Sequence, residues 1–369
     1  MLNSPPDPHQ IEVSVFGPGK GESIVAHLGD GDWIVVDSCV NRKTDEPAAL
    51  EYLRLLNVDV ASRVRLVVAT HWHDDHIRGL ARILDAAKSA RFVDSAAFNR
   101  SLLSRVVEYG SQTAANASVT EEYSSIHRIL RDRRQKGEKK ESVGPIQAIA
   151  NTRLLYLSDS ARTVKAEVVA LSPSSGTLNH ADTELENALK LFQERRRPSH
   201  QGPNQLCVVL WLRVGAVQAI LGADLEHVSG VTEGWNAIIA SAERPEGTAG
   251  MFKVPHHGSK NAHSDACWEK LLTGDPIAVL TPYAPSRLPD PHDLIRLCRC
   301  TKQLYLTSDY RQYKGSHRNH TVEKMLRSRK KKLRPLEGNM GHFRLRTDAR
   351  VADAIPVIEL FEGAERKCA

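Results

Sequence analysis

The segment His71-x-His73-x-Asp75-His76 places three imidazoles and a carboxylate within six residues. Imidazole and carboxylate donors together suit Zn2+, and also Mn2+ or Fe. An apolar run, Val64–Ala69, leads into this segment, and a helix is expected after it over roughly 77–88. On a strand-to-helix turn, residues 71 and 73 point one way while 75 and 76 point another, so one short loop can feed two neighbouring ions. Two such cations would activate a shared water for attack on phosphorus or a carbonyl carbon, and would stabilise the negative oxygen that develops. A chance polar loop whose histidines cap a helix accounts poorly for four donors at one strand end. Asp74 is read as the cap of the following helix.

Elements of both periodicities are needed to carry such a loop. Ile11–Phe16, Ser23–Leu28 and Trp33–Asp37 read as strands separated by Gly-rich turns. Pro47–Leu56 has helical spacing with proline in the first turn. Further strands are expected at Val164–Leu171, Leu206–Val214, Ala216–Leu221, Met251–Val254, Ile277–Thr281, His342–Arg346 and Val357–Leu360. The stretch at about 99–151 is helical in pattern, poor in strong core residues and basic, so it reads as an insertion on the main fold. The expected organisation is a flexible leader at 1–10, a hydrolase domain at 11–348, and a C-terminal strand and tail at 349–369. Polar residues with chemical potential stand at strand ends, where α/β folds assemble their sites.

The loop resembles that of the metallo-β-lactamase superfamily, which reads HxHxDH. Asp37 in WIVVDS is similar to the superfamily's first acidic position, Asp224 in AILGADLE to its bridging aspartate, and His257 in FKVPHHGS to its late histidine. A narrower resemblance joins Leu171-Ser172-Pro173-Ser174, Asn204-x-x-Cys207-Val208-Val209-Leu210, Gly222-Ala223-Asp224 and Lys253-Val254-Pro255-His256-His257-Gly258-Ser259 to the hydrolase domain of ComEC-type DNA-uptake proteins. The resemblance implies an α/β fold, the αββα sandwich of that superfamily, with the helical insertion added. It implies a first ion held by His71, His73 and Asp224, and a second held by Asp75, His76, Asp224 and His257. Asp75 and Asp224 thereby become catalytic candidates. Where many relatives supply a third histidine to the first ion, this sequence offers Asn204, or His200. Asp37 is expected to orient a ligand, and His256 to support the site from behind or touch substrate. The cofactor implied is Zn2+, one or two ions, with Mn2+ as an alternative.

His263, near the HHGS turn, is a candidate proton donor, weighed against an exposed loop histidine. The basic runs at 128–140, 195–197 and 327–334 are candidate phosphate contacts, with Arg133, Arg134, Lys139 and Lys140 singled out. A solvated helix face explains any one run equally well. Tyr123, Tyr310 and Tyr313 are the nearby stacking candidates.

Composition narrows the classes. The 369 residues are 41% hydrophobic and 25% charged, which excludes wholesale disorder. Aromatics are 5%, favouring an aliphatic α/β core over an aromatic sandwich. The net charge of +6 permits a phosphate-bearing partner. Six scattered cysteines lack a CxxC pair, so a reducing, cytoplasmic setting without a disulfide framework is expected. The first ten residues lack the features of a signal peptide, and the apolar stretch Leu206–Leu221 is broken by Arg213, Gly215 and Gln218, so no membrane span is expected. Together these readings predict a metal-dependent hydrolase, a phosphodiesterase or nuclease acting by a metal-activated water. The alternatives are a small-molecule hydrolase (cyclic nucleotide, phosphoester, lactone or thioester) or a weakly catalytic metal-bearing regulatory module.

Overall fold

Alternation along the strands sets the inner layer. In β1 (Gln10–Phe16), Ile11, Val13 and Val15 enter a core between two sheets, while Glu12 and Ser14 turn to the opposite face. Each such fully buried aliphatic side chain contributes about 1.5–3 kcal/mol. A computed structural model describes residues 4–17, 21–98, 114–138, 144–180, 203–309 and 340–368.

β1, β2 (Ser23–Leu28) and β3 (Trp33–Val36) form an antiparallel meander. A small hairpin, β4 (Val40–Asn41) and β5 (Glu46–Pro47), follows. Then β6 (Val64–Val68), β7 (Arg91–Ser95) and β8 (Ile146–Ala148) add in parallel. The second half repeats the plan. β9 (Thr152–Leu157), β10 (Ala166–Ala170), β11 (Leu210–Val214) and β12 (Val217–Leu221) are antiparallel. β13 (Ala249–Lys253), β14 (Leu272–Leu280) and β15 (Leu304–Leu306) continue in parallel. β16 (His342–Asp348) and β17 (Val357–Phe361) return beside β1, and β18 (Glu365–Arg366) pairs with β15. Among the described residues the result is two eight-stranded sheets, ordered β17-β16-β1-β2-β3-β6-β7-β8 and β18-β15-β14-β13-β12-β11-β10-β9.

Helices cover the outer faces. α1 (Ala48–Leu55), α2 (Val60–Arg63), α3 (Asp74–Ile77), α4 (Leu80–Ala86) and α5 (Ala114–Gln135) lie with the first sheet. α6 (Gly234–Ala240), α7 (Asp265–Leu271) and α8 (Pro291–Cys300) lie with the second. The architecture is therefore an αββα sandwich with one inner and two outer cores.

Several expectations are corrected by contacts between distant segments. Residues 4–9 are not a loose leader: the carbonyls of Ser4, Pro8 and His9 accept from Arg346 Nη2, Asp30 N and Ala349 N at 2.8, 2.8 and 2.9 Å. The 99–151 stretch is not wholly an appendage either. Tyr123, Ile126 and Leu130 of α5 join the outer core, and β8 completes the first sheet. The C-terminal segment supplies strands to both sheets, and Cys298 of α8 forms a disulfide with Cys368, contrary to the expectation of free thiols. The fold brings these two Cα atoms to 5.6 Å, within the range a disulfide needs, although they stand 70 residues apart. No helix among the described residues is long and apolar enough to cross a membrane. His200, Lys139, Lys140, Tyr310, Tyr313 and the runs 195–197 and 327–334 lie outside the described residues.

Candidate metal centre

The carboxyl ends of parallel strands converge on one edge of the sandwich. Asp37 follows β3, His71 to His76 follow β6, Asp224 follows β12, His257 follows β13, and Thr281 follows β14. Asp37, Ala223, His256 and His257 all have positive φ, between 45° and 57°. Left-handed backbone costs a non-glycine residue roughly 1–2 kcal/mol. Its concentration here is the pattern of a site whose shape is imposed by its surroundings.

Two groups of donors form. His71, His73 and Asp224 make one, and Asp75, His76 and His257 the other; within each, one donor atom per residue lies within 4.8 Å of the rest. Asp224 Oδ2 stands between them, 3.4 Å from His76 Nε2, 3.6 Å from His257 Nε2 and 3.9 Å from His71 Nε2. Asp75 Oδ2 is 3.7 Å from His257 Nε2 and 4.0 Å from His76 Nε2. A third grouping, Asp37 with His71 and His76, is close enough to hold an ion, but the Asp37 oxygens are already taken.

The hydrogen bonds behind the imidazoles fix which nitrogen faces the cluster. Asp37 Oδ2 lies 2.7 Å from His76 Nδ1; a carboxylate only accepts, so Nδ1 carries a proton and Nε2 is the nitrogen turned toward the cluster. The Thr281 carbonyl does the same for His257 Nδ1 at 2.8 Å. Thr70 Oγ1 donates its proton to Asp37 Oδ2 at 2.7 Å, so His71 Nδ1 donates to that hydroxyl at 3.0 Å. Thr70 N also donates to Asp37 Oδ1, at 2.8 Å. Asp37 thus holds two loop residues, and indirectly a third, as outer partners hold metal-binding histidines.

The residues fit paired divalent ions on their own geometry. His76 Nε2 and Asp224 Oδ1 are buried with no hydrogen-bond partner. His71 Nε2 and His73 Nδ1 face each other at 3.1 Å. Burial is the largest influence on His71 and, with the neighbouring His76, holds its imidazole well below its ordinary value, in the neutral form a ligand needs. Burial works to raise Asp75, but His257 and His76 outweigh it and keep the carboxylate ionised.

The adjacent histidines have different settings. His257 turns Nε2 into the cluster. His256 lies outside, with Nδ1 3.1 Å from Asn261 Oδ1 and 3.3 Å from Glu226 Oε1, and Nε2 3.3 Å from Asn204 Nδ2. Asn204 also donates to Glu226 Oε1 at 2.9 Å, leaving its buried Oδ1 without a partner. The His256 ring centroid is 6.0 Å from that of His257, so the Asn204–His256–Glu226 group borders the donor cluster.

Other candidates fall elsewhere. His263 Nε2 pairs with Asp265 Oδ1 at 3.0 Å and lines a small hollow with Trp235, Phe252, Trp268 and Arg296, apart from either donor group. Arg133 is buried, its guanidinium donating to the carbonyls of Leu84, Ala87 and Ala90 at 2.5–2.9 Å. Buried and docking α5 through its Nη donors, it is removed from the expected phosphate contacts. Arg134 is exposed on the same helix. Tyr123 is buried, so it offers no stacking face. Asp74 is the first residue of α3, with His73 at the cap position. Trp72 packs against the outer core.

Sequence reasoning missed Thr70, Glu22, Glu226 and Tyr283, and gave Lys253 and Thr281 no role. The Tyr283 ring lies nearly parallel to His257, 19° and 4.9 Å between centroids. Partial burial, then Asp75, Asp74 and Asp224, push its hydroxyl up to about 12. The signal for Lys253 was present, since it is a charge at the end of the apolar strand Met251-Phe252-Lys253-Val254.

Residues 17–118 match the family model of the metallo-β-lactamase superfamily. Comparison with curated proteins gives no match. Similar solved structures include a Cronobacter sakazakii metallo-β-lactamase with a HARLDQ motif, at 13% identity over 59% of this chain and 61% of that one, TM-score 0.30. They include the metallo-β-lactamase SMB-1 bound to 2-mercaptoethanesulfonate, at 12% identity over 75% and 81%, TM-score 0.34. A Hirschia baltica metallo-β-lactamase aligns at 9% identity over 59% and 68%, TM-score 0.27. The chain spans less than two thirds of the length of the Cronobacter protein. The layered topology and the matched segment are those of the metallo-β-lactamase fold.

Proposed function

We propose that this protein of metallo-β-lactamase fold is a metal-dependent hydrolase of phosphodiesters, with nucleic acid as its favoured substrate class. The observation that carries the reading is Asp224 Oδ2, which lies within 4 Å of a histidine nitrogen from each donor group. His71, His73 and Asp224 would hold one ion, and Asp75, His76, Asp224 and His257 the other. The donor set suits Zn2+, with Mn2+ as the alternative. When bound, such a pair supplies Lewis acidity and a nucleophilic water at neutral pH.

The chain's own residues set the geometry. Asp37 and Thr281 keep the proton of His76 and His257 on the outward nitrogen. Thr70 does so for His71. Tyr283 covers one face of His257 and walls the second donor group.

Support for a phosphodiester comes from the resemblance of Leu171–Ser174, Gly222–Asp224 and Lys253–Ser259 to the ComEC-type hydrolase domain. Arg128, Arg131 and Arg134 add an exposed basic face on α5, with Lys136 just beyond its end. Bis-p-nitrophenyl phosphate and single-stranded DNA should both be cleaved with Zn2+ or Mn2+, and neither after chelation. DNA binding should weaken steeply between low and moderate salt. Turnover of the small ester without DNA binding at either salt would replace the nuclease reading by a small-substrate hydrolase, which the burial of Arg133 favours. Turnover of neither substrate would reject the phosphodiesterase reading.

A further inference from the structure

Beneath the donor groups lies a charged pair that the chemistry described so far does not use. Lys253 Nζ is fully buried, 2.6 Å from Glu22 Oε1 and 2.8 Å from the Ala223 carbonyl. It also stands 3.8 Å from Asp224 Oδ1, the buried oxygen that has no hydrogen-bond partner. Glu22 is equally buried. Its second oxygen accepts from Thr281 Oγ1, and its backbone N–H donates to the Asp75 carbonyl at 2.9 Å. Thr281 in turn accepts from His257 Nδ1.

One buried ion pair therefore touches the setting of three donors: Asp75 through its carbonyl, His257 through Thr281, and Asp224 through Lys253. A buried pair of this kind is a poor device for stability alone, because desolvating two charges offsets most of their attraction. Its position gives it another use. The two oxygens of Asp224 face different partners: Oδ2 faces three histidine nitrogens and Oδ1 faces an ammonium. An ammonium on one side leaves the other oxygen as the one presented between the donor groups.

We propose that Glu22 and Lys253 are positioning residues that orient Asp224 for single-oxygen bridging and hold the second donor group, Asp75, His76 and His257, in register with it. This inference rests on the two-ion reading above. Loss of the pair loosens the second ion and uncouples it from the first, while His71 and His73 keep theirs.

The experiment uses the whole chain loaded with Mn2+ and compares the native protein with Glu22→Gln and with the double variant Glu22→Gln/Lys253→Met. The double variant removes both charges together, so no unpaired buried charge is left to unfold the protein, and circular dichroism checks the fold of each. Competitive chelator titration gives the affinity for each ion. Electron paramagnetic resonance reports whether the two Mn2+ ions are magnetically coupled through a shared oxygen. The expected result is a second ion bound about 10–100-fold more weakly, the range lost with outer-shell partners. The coupled signal should also give way to that of an isolated ion, and the first affinity should stay unchanged. A folded double variant with two native-affinity ions and an unaltered coupled signal would overturn the inference and leave the two-ion reading intact. A native protein that takes up no Mn2+ and no Zn2+ would overturn both.

Discussion

In the half of the cluster formed by Asp75, His76 and His257, the donors are fixed from behind by residues distant in the chain: Asp37 on His76, Thr281 on His257 and Glu22 on the Asp75 backbone. In the half formed by His71 and His73, support comes mainly from the loop, and Asp37 reaches it only through Thr70. Thr70 holds His71, while His73 Nδ1 faces His71 Nε2 at 3.1 Å, and Asn204 stands nearby engaged with Glu226 and His256. The first arrangement is assembled by the sheets and the second by one loop. A pre-oriented donor loses less freedom on binding, so the Asp75–His76–His257 half should hold its ion more tightly.

Asp224 belongs to both halves, and its loss should erase the contrast. Asp224→Ala is expected to lower affinity for both ions by more than the hundredfold typical of an outer partner, and phosphodiester hydrolysis with it. Elemental analysis of the purified variant checks this; a full metal complement would break the bridging assignment. Asp37→Asn should sharpen the contrast from the other side. It keeps the shape but removes an acceptor from the His76 N–H, so the Asp75–His76–His257 ion should weaken by about 10–100-fold. Equal weakening of both ions in a chelator titration would show that the halves are not independently supported.

Asn204→His tests the first half alone. An imidazole in place of the Asn204 amide should tighten the first ion by about tenfold and leave the second unchanged, read by the same titration. No change in either affinity would place residue 204 out of reach of the ion.

A further contrast separates two buried carboxyls of the first sheet, Asp37 after β3 and Asp94 on β7. Asp37 accepts hydrogen bonds from Thr70 and His76, whereas Asp94 Oδ1 on β7 is buried without a partner. Burial pushes the Asp94 carboxyl from 3.8 to about 8. The folded form thus keeps a proton that the unfolded chain releases, so stability falls as pH rises from near 4 to near 8. Asp94→Asn should remove this slope. It should raise stability by about 1–3 kcal/mol above pH 8, with the advantage shrinking toward pH 4 and metal content unchanged. Urea denaturation at pH 4.5 and 8.5 checks the sign; a constant difference would mean the carboxyl does not titrate in that range.

What could be read from the sequence follows the same division. The strands flanking the loop were legible because Ser23–Leu28 and Val64–Val68 are apolar runs between turn signals. The donors themselves were legible because they stand at strand ends. The supporting partners were not, because Glu22, Thr70 and Thr281 are common residue types that become informative only when the sheets bring them together. Arg133 shows how a charge run misleads. It continues the stripe Tyr123, Ile126, Leu130 at helical spacing, a position that faces the core whatever the residue's charge. The pairing of Cys298 with Cys368 had no local signature at all.

The central claim is that hydrolysis requires two ions sharing Asp224, and one titration tests it most directly. Metal-free protein would receive Zn2+ in steps, with bound metal and turnover of bis-p-nitrophenyl phosphate measured at each step. The account predicts little turnover through the first equivalent bound and a steep rise with the second, lost in Asp224→Ala. Full activity at one bound ion, or no activity with both ions in place, would contradict it.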